Sequence, residues 1–157
     1  MEKAMHGERN QHYWHLLIMI ALSFIAMFIL MYAMVDIFSN VYVNINQFYM
    51  AGLMTIPMVL IELAVMRSMY TDAKVNIAIV VVSLAAFIFF FGGIRQQLAV
   101  TDTQFLRSMI PHHASAILMC EKAAIEDPDI KRICASIIEG QRAEIAEMKT
   151  KLGALME

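Results

Sequence analysis

The sequence predicts an all-α membrane protein. Three transmembrane helices are followed by an extracytoplasmic two-helix hairpin, which assembles into a four-helix bundle by oligomerisation. Three observations predict it. The stretches from Leu16 to Val35, Phe48 to Met66 and Val75 to Ile94 are unbroken apolar runs that together carry one charge, Glu62. Each approaches the ~20 residues a helix needs to cross a ~30 Å hydrocarbon core. At 60% hydrophobic residues and a mean hydropathy of +0.62, the chain is too apolar for an ordinary soluble domain. Beyond Ile94 the pattern changes to two amphipathic helical repeats, each opened by a capping signal.

Residues 1–15 form a polar segment with His6, His12 and His15. His12, Tyr13, Trp14 and His15 stand where an aromatic interface belt is expected. Interfacial anchoring is the favoured reading over metal handling by Met5, His6 and His12. The first apolar run is too long for a signal-peptide core, and no small-residue cleavage site follows it in Asp36-Ile37-Phe38-Ser39-Asn40. Lys3 and Arg9 precede the first span, Arg67 and Lys74 lie between the second and third, and the loop from Asp36 to Gln47 has no basic residue. By the bias of basic residues, the N-terminus and second loop are cytoplasmic and everything after Ile94 lies outside. The expected divisions are therefore a cytoplasmic segment 1–15, a transmembrane region 16–95 and an extracytoplasmic metal-binding hairpin 96–157. The location expected is the cytoplasmic (inner) membrane of a bacterium.

In the second span Met50, Met54, Met58, Glu62 and Met66 recur every four residues. That spacing drifts slowly around a helix and marks a continuous strip. Any one methionine there is packing filler, but a carboxylate in step with them is costly in hydrocarbon and should face protein or a hydrated cavity. The strip reads equally as a route for soft cations and as an oligomer seam. Pro57 removes one hydrogen bond of this helix and frees the carbonyl of Leu53. In the third span, Gly92-Gly93 marks a flexible exit or a close packing point.

Thr101-Asp102-Thr103-Gln104 has the form of a capping box and starts a helix near Asp102 that runs to about Ile125, with a kink at Pro111 that releases the carbonyl of Arg107. Asp127-Pro128-Asp129 starts another, with Asp127 as cap, ending near Gly153. On the first of these helices Met109, His112, His113, Ala116, Met119 and Cys120 share a face. Thioether, imidazole and thiolate together select copper(I) and similar soft cations. The bland alternative is a core stripe, since Met and Cys often fill gaps. A short turn makes the helices antiparallel and sets Cys120 opposite Cys134, Met109 opposite a turn bearing Glu144 and Met148, and the histidines opposite Gln141 and Glu144.

The candidate ligands are therefore Met109, His112, His113 and Met148 at one end and Met119, Cys120 and Cys134 at the other, with Gln141 and Glu144 behind them. One histidine is expected on the metal and the other hydrogen-bonded to Glu144 or to a neighbouring subunit, the kind of support common around a bound imidazole. Cys120 and Cys134 fit a disulfide outside the cytoplasm as well as they fit thiolate ligation. The sequence contains no Glu-x-x-His pair, His-Glu-x-x-His motif or closely spaced cysteine pairs, so di-iron and zinc chemistry fit worse. No nucleophile has an evident base and orienter, so enzyme activity is not expected. A net charge of -2 suggests no nucleic-acid partner. A two-helix hairpin cannot bury both its faces, and pairing hairpins is how four-helix bundles solve this. Partners expected are the lipid bilayer, further copies of the chain and a metal-delivery partner.

Phe105-Leu-Arg-Ser-Met-Ile-Pro-His-His, Ala116-Ile-Leu-Met-Cys, Ile137-Ile-Glu-Gly-Gln141 and Glu144-Ile-Ala-Glu-Met148 resemble the signature of the bacterial "domain of unknown function 305" family. The second span, Tyr49 to Leu63, is similar to that of its membrane-bound members. The resemblance implies a helical, ferritin-like bundle outside the cytoplasmic membrane, linked in some members to copper binding and tolerance. The expected function is capture of copper(I), and silver(I) by the same chemistry, with no organic cofactor. The alternatives are a copper transporter with a methionine-lined path and a structural or regulatory membrane oligomer without metal.

Overall fold

The computed structural model describes residues 2–156, with side chains from Gln11 onward. The histidine and methionine considered for metal handling at positions 5 and 6 thus lie outside the described side chains. The elements are α1 (Glu2–Leu30), two 3-10 turns (Met31–Met34 and Phe38–Asn40), α2 (Ile45–Val65), α3 (Ala73–Arg95), α4 (Asp102–Lys122) and α5 (Pro128–Ala154). No strand occurs among the described residues, and the all-α expectation holds. Three helical stretches, Gln11–Met34, Ile45–Val65 and Ala73–Arg95, are long and apolar enough to cross a membrane.

The chain divides into two compact units, one of Met1–Leu30 with Phe48–Leu98 and the other of Met31–Gln47 with Ala99–Glu157. The sequence placed residues 31–47 with the transmembrane region, and the structure places them with the hairpin. Polar side chains explain the difference. Asn44 Nδ2 donates to the Arg107 carbonyl at 3.4 Å, Ile45 N–H donates to Gln104 Oε1 at 3.0 Å and Asn46 Nδ2 donates to Ser108 Oγ at 3.2 Å. The Arg107 carbonyl is the one Pro111 deprives of its helical donor, so Asn44 meets a need that proline creates.

In the apolar unit, α2 buries Tyr49, Ala51, Gly52, Thr55, Ile56 and Val59. Phe90 lies against Gly52, where an added Cβ would stand 2.5 Å from the ring, so this position admits no side chain. Tyr49 similarly sits 3.0 Å from where a Cβ would stand at Gly93, which makes that glycine a close packing point. Phe48 links the helices edge-on, at 5.3 Å from Phe24 and 5.7 Å from Phe90 between ring centroids. At the other end, Asp72 caps α3 by accepting from the N–H groups of Lys74 and Val75. Tyr13 O–H donates to Asn76 Oδ1 at 2.9 Å, and Asn76 Nδ2 donates to the Tyr70 carbonyl at 2.7 Å. Tyr13 is therefore a structural tie, while its neighbour Trp14 stays exposed.

Tyr70 is buried and donates to Glu62 at 3.2 Å. Burial first, and then the nearby Glu62 carboxylate, push its hydroxyl above the usual tyrosine value of 10.0. The folded protein thus holds this proton more tightly than the unfolded chain does. Stability from it is complete below pH ~10 and falls as pH rises beyond that value. In an ultraviolet phenolate titration Tyr70 should ionise late, and Tyr70→Phe should remove that late step. Loss of an early step instead would refute the assignment.

In the hairpin unit, Thr101 caps α4 by accepting from Gln104 N–H, and Asp127 caps α5 by accepting from the N–H groups of Asp129 and Ile130. Both starts match the capping signals, and α4 ends at Lys122, short of the Ile125 expected. The core is Ile110, Ala114 and Ile117 of α4 against Ile145 and Leu152 of α5, flanked by Val35, Tyr42, Leu106 and Met148.

Candidate metal centre

The antiparallel packing of α4 on α5 brings together most of the residues singled out by sequence. Cys120 and Cys134 are joined in a disulfide with their Cα atoms 5.2 Å apart. Of the two fates open to them the structure takes the covalent one. The expected second ligand group loses its thiolates, because a disulfide sulfur offers no anionic donor.

His113 is nearly buried, with 12% of its side chain exposed, and its Nε2 meets Glu144 Oε2 at 2.8 Å. Its Nδ1 stands 2.9 Å from the Met109 carbonyl. A carbonyl only accepts, so Nδ1 donates there; a carboxylate accepts as well, so the Nε2 contact also needs a proton, on the ring or on Glu144. This is the support commonly found behind a metal-bound imidazole, with one ring N–H given to a backbone carbonyl and the other nitrogen aimed outward. Here Nε2 is aimed at a carboxylate. A cation at Nε2 would therefore take the place of that proton and either displace Glu144 or gain it as a neighbouring ligand.

His112 is exposed, and its ring stands 5.9 Å from that of His113, edge to face. It makes no hydrogen bond through its ring among the described residues. On the same face Met109 is partly buried and Met119 is half-exposed. Met148 is partly buried and packs against the hydrophobic core. Gln141 was expected to meet the histidines; its Oε1 is buried without a hydrogen-bond partner. Among the described residues no group of three or more His, Cys, Asp or Glu side chains is gathered as a cation site. What α4 presents on its own is two imidazoles and two thioethers.

The strip of α2 belongs to the other unit. Met50, Met54 and Met66 are exposed, while Met58 and Glu62 are partly buried. Glu62 accepts its hydrogen bond from Tyr70. The strip therefore starts, at Met50 and Met54, on the side of α2 away from the buried Tyr49, Gly52 and Val59, and winds toward the packed side by Glu62.

Residues that the sequence did not single out also line the hairpin unit. Asp36, Asn40, Arg142 and Lys149 border a groove with Ile117 and Ile145. The alternation of Asn40, Asn44 and Asn46 with Val41, Val43 and Ile45 was the one signal that this connector packs on something.

Residues 93–152 match the family described as Domain of unknown function (DUF305). An uncharacterized protein of Acanthamoeba polyphaga mimivirus is 31% identical over 140 residues, covering 87% of this chain and 90% of that one. No solved structure matches the chain.

Proposed function

The chain belongs to the domain of unknown function (DUF305) family, and on that premise we propose that it captures copper(I) or silver(I) on the outer face of a bacterial inner membrane, for tolerance or delivery. The observation that carries this reading is the pair His112 and His113 beside Met109 and Met119 on α4, with His113 Nδ1 fixed by a backbone carbonyl. The donor set is soft and nitrogenous, which suits monovalent copper. The Cys120–Cys134 disulfide supports an extracytoplasmic hairpin, since such bonds persist in oxidising compartments. The biased basic flanks support the same orientation.

The site is half of one. Phe105, Met119, Ile130 and Ile133 leave an apolar face of the hairpin exposed. A second hairpin laid on that face makes a four-helix bundle and supplies the remaining donors, His112 among them. The test is titration of the purified protein with copper(I) against a competing chelator. His112→Ala and His113→Ala should each weaken binding by at least about tenfold. Unchanged affinity in both would remove these residues as ligands. A folded oligomer that takes up no copper would leave a structural assembly in its place.

The exposed methionines of α2 favour a second reading, in which copies packed strip to strip line a path for the same ion. Copper flux into liposomes that is lost in Met54→Leu supports that reading, and absence of flux removes it.

A further inference from the structure

The hairpin unit holds a cavity of about 410 Å³ bordered by the connector on one side and by α4 and α5 on the other. Small-molecule sites start at about 300 Å³. One wall is made of acceptors. Asn40 is 3% exposed, and its Nδ2 donates to Asp36 Oδ1 at 2.7 Å, which fixes the orientation of the amide. Its Oδ1 is then left buried with no hydrogen-bond partner. Leaving such an acceptor unmet costs about 1–3 kcal/mol, so the site demands a donor. Asp36 Oδ1 is already held twice, by Asn40 and by Ile37 N–H at 2.7 Å, which locks the carboxylate beside that acceptor.

The other wall carries Glu121, Arg142 and Lys149, with one cation in excess. Arg142 is bound to Glu121 at 2.6 Å, whereas Lys149, two turns along α5, has no ion-pair partner among the described residues. Ile117 and Ile145, both buried, lie between the walls. With Arg142 neutralised by Glu121, a bare metal cation would meet the unpaired Lys149, and a bare anion would meet Asp36 and the Asn40 side-chain carbonyl. A molecule with both charges satisfies both walls.

We propose that this groove binds a small molecule carrying an ammonium and an oxyanion, the ammonium on Asp36 and Asn40 Oδ1 and the oxyanion on Lys149. The site is separate from the histidine pair and does not depend on metal binding. Two sources share this chemistry, a free amino acid and an ethanolamine phosphate headgroup.

The experiment uses the full chain in nanodiscs of phosphatidylglycerol, labelled with 15N at asparagine, and follows the assigned side-chain amide of Asn40. The probes are L-alanine and glycerophosphoethanolamine, with methylammonium and acetate as singly charged controls. At least one zwitterion should shift the amide saturably, and the tighter of the two names the source. Lys149→Gln should weaken that binding by about tenfold, the worth of one charged hydrogen bond. No saturable shift with either zwitterion would overturn the proposal and leave the acceptor to water. Methylammonium binding as tightly as the zwitterion, unaffected by Lys149→Gln, would overturn it as well.

Discussion

Ile110→Ala should cost the hairpin unit about 2–5 kcal/mol, the range for removing a large aliphatic side chain from a packed core. Ile110 is fully buried, and it meets the cluster of Ala114, Ile117, Ile145 and Leu152 that holds α4 on α5. A loss of that size rivals the whole stability of a small domain, about 5–15 kcal/mol. Amide hydrogen exchange in bilayers reads it directly: protection of α4 and α5 falls while that of α2 and α3 stays. A loss below about 1 kcal/mol would mean that the unit is held by contacts outside this core.

Breaking the disulfide should be nearly as damaging. Cys120 and Cys134 are separated by 14 residues, and closing a loop of that size stabilises by about 3 kcal/mol through the unfolded chain. The bond also fixes the register of two helices whose connecting turn, residues 123–127, has few contacts of its own. Cys134→Ser, or reduction of the native protein, should lower the melting temperature and let the α4–α5 ends nearest the turn exchange first. Their thiols would then be free to bind copper(I), so reduced protein should take up more of it than oxidised protein does. Equal uptake in the two states would limit the metal chemistry to the histidines and methionines.

The register of the hairpin was legible from its turn. Asp127-Pro128 fixed where α5 begins, and a short antiparallel connection fixed which residues of α4 and α5 face one another. From those alone Cys120 falls on Cys134 and His113 on Glu144, as found. The position of Met148 was not legible, because a thioether fills a core and binds a soft ion with the same atoms. The fate of the cysteines turned on a covalent bond that spacing permits but does not dictate. The connector was missed for a different reason. Its role depends on hydrogen bonds between residues some 60 positions apart, and no periodicity encodes a long-range polar contact. Its groove was missed with it, since the orphan carbonyl of Asn40 exists only once Asp36 has claimed the amide nitrogen.

That connector also counts the crossings. Residues 31–47 and 99–157 pack as one unit, so both lie on the same side of any bilayer. The chain between them must then pass through the membrane an even number of times. Helices α2 and α3 are both long and apolar enough to be passes; if one crossed and the other did not, the parity would fail and Asn44 could not reach Arg107. Three polar ties between the connector and α4 thus constrain how the chain between them is threaded.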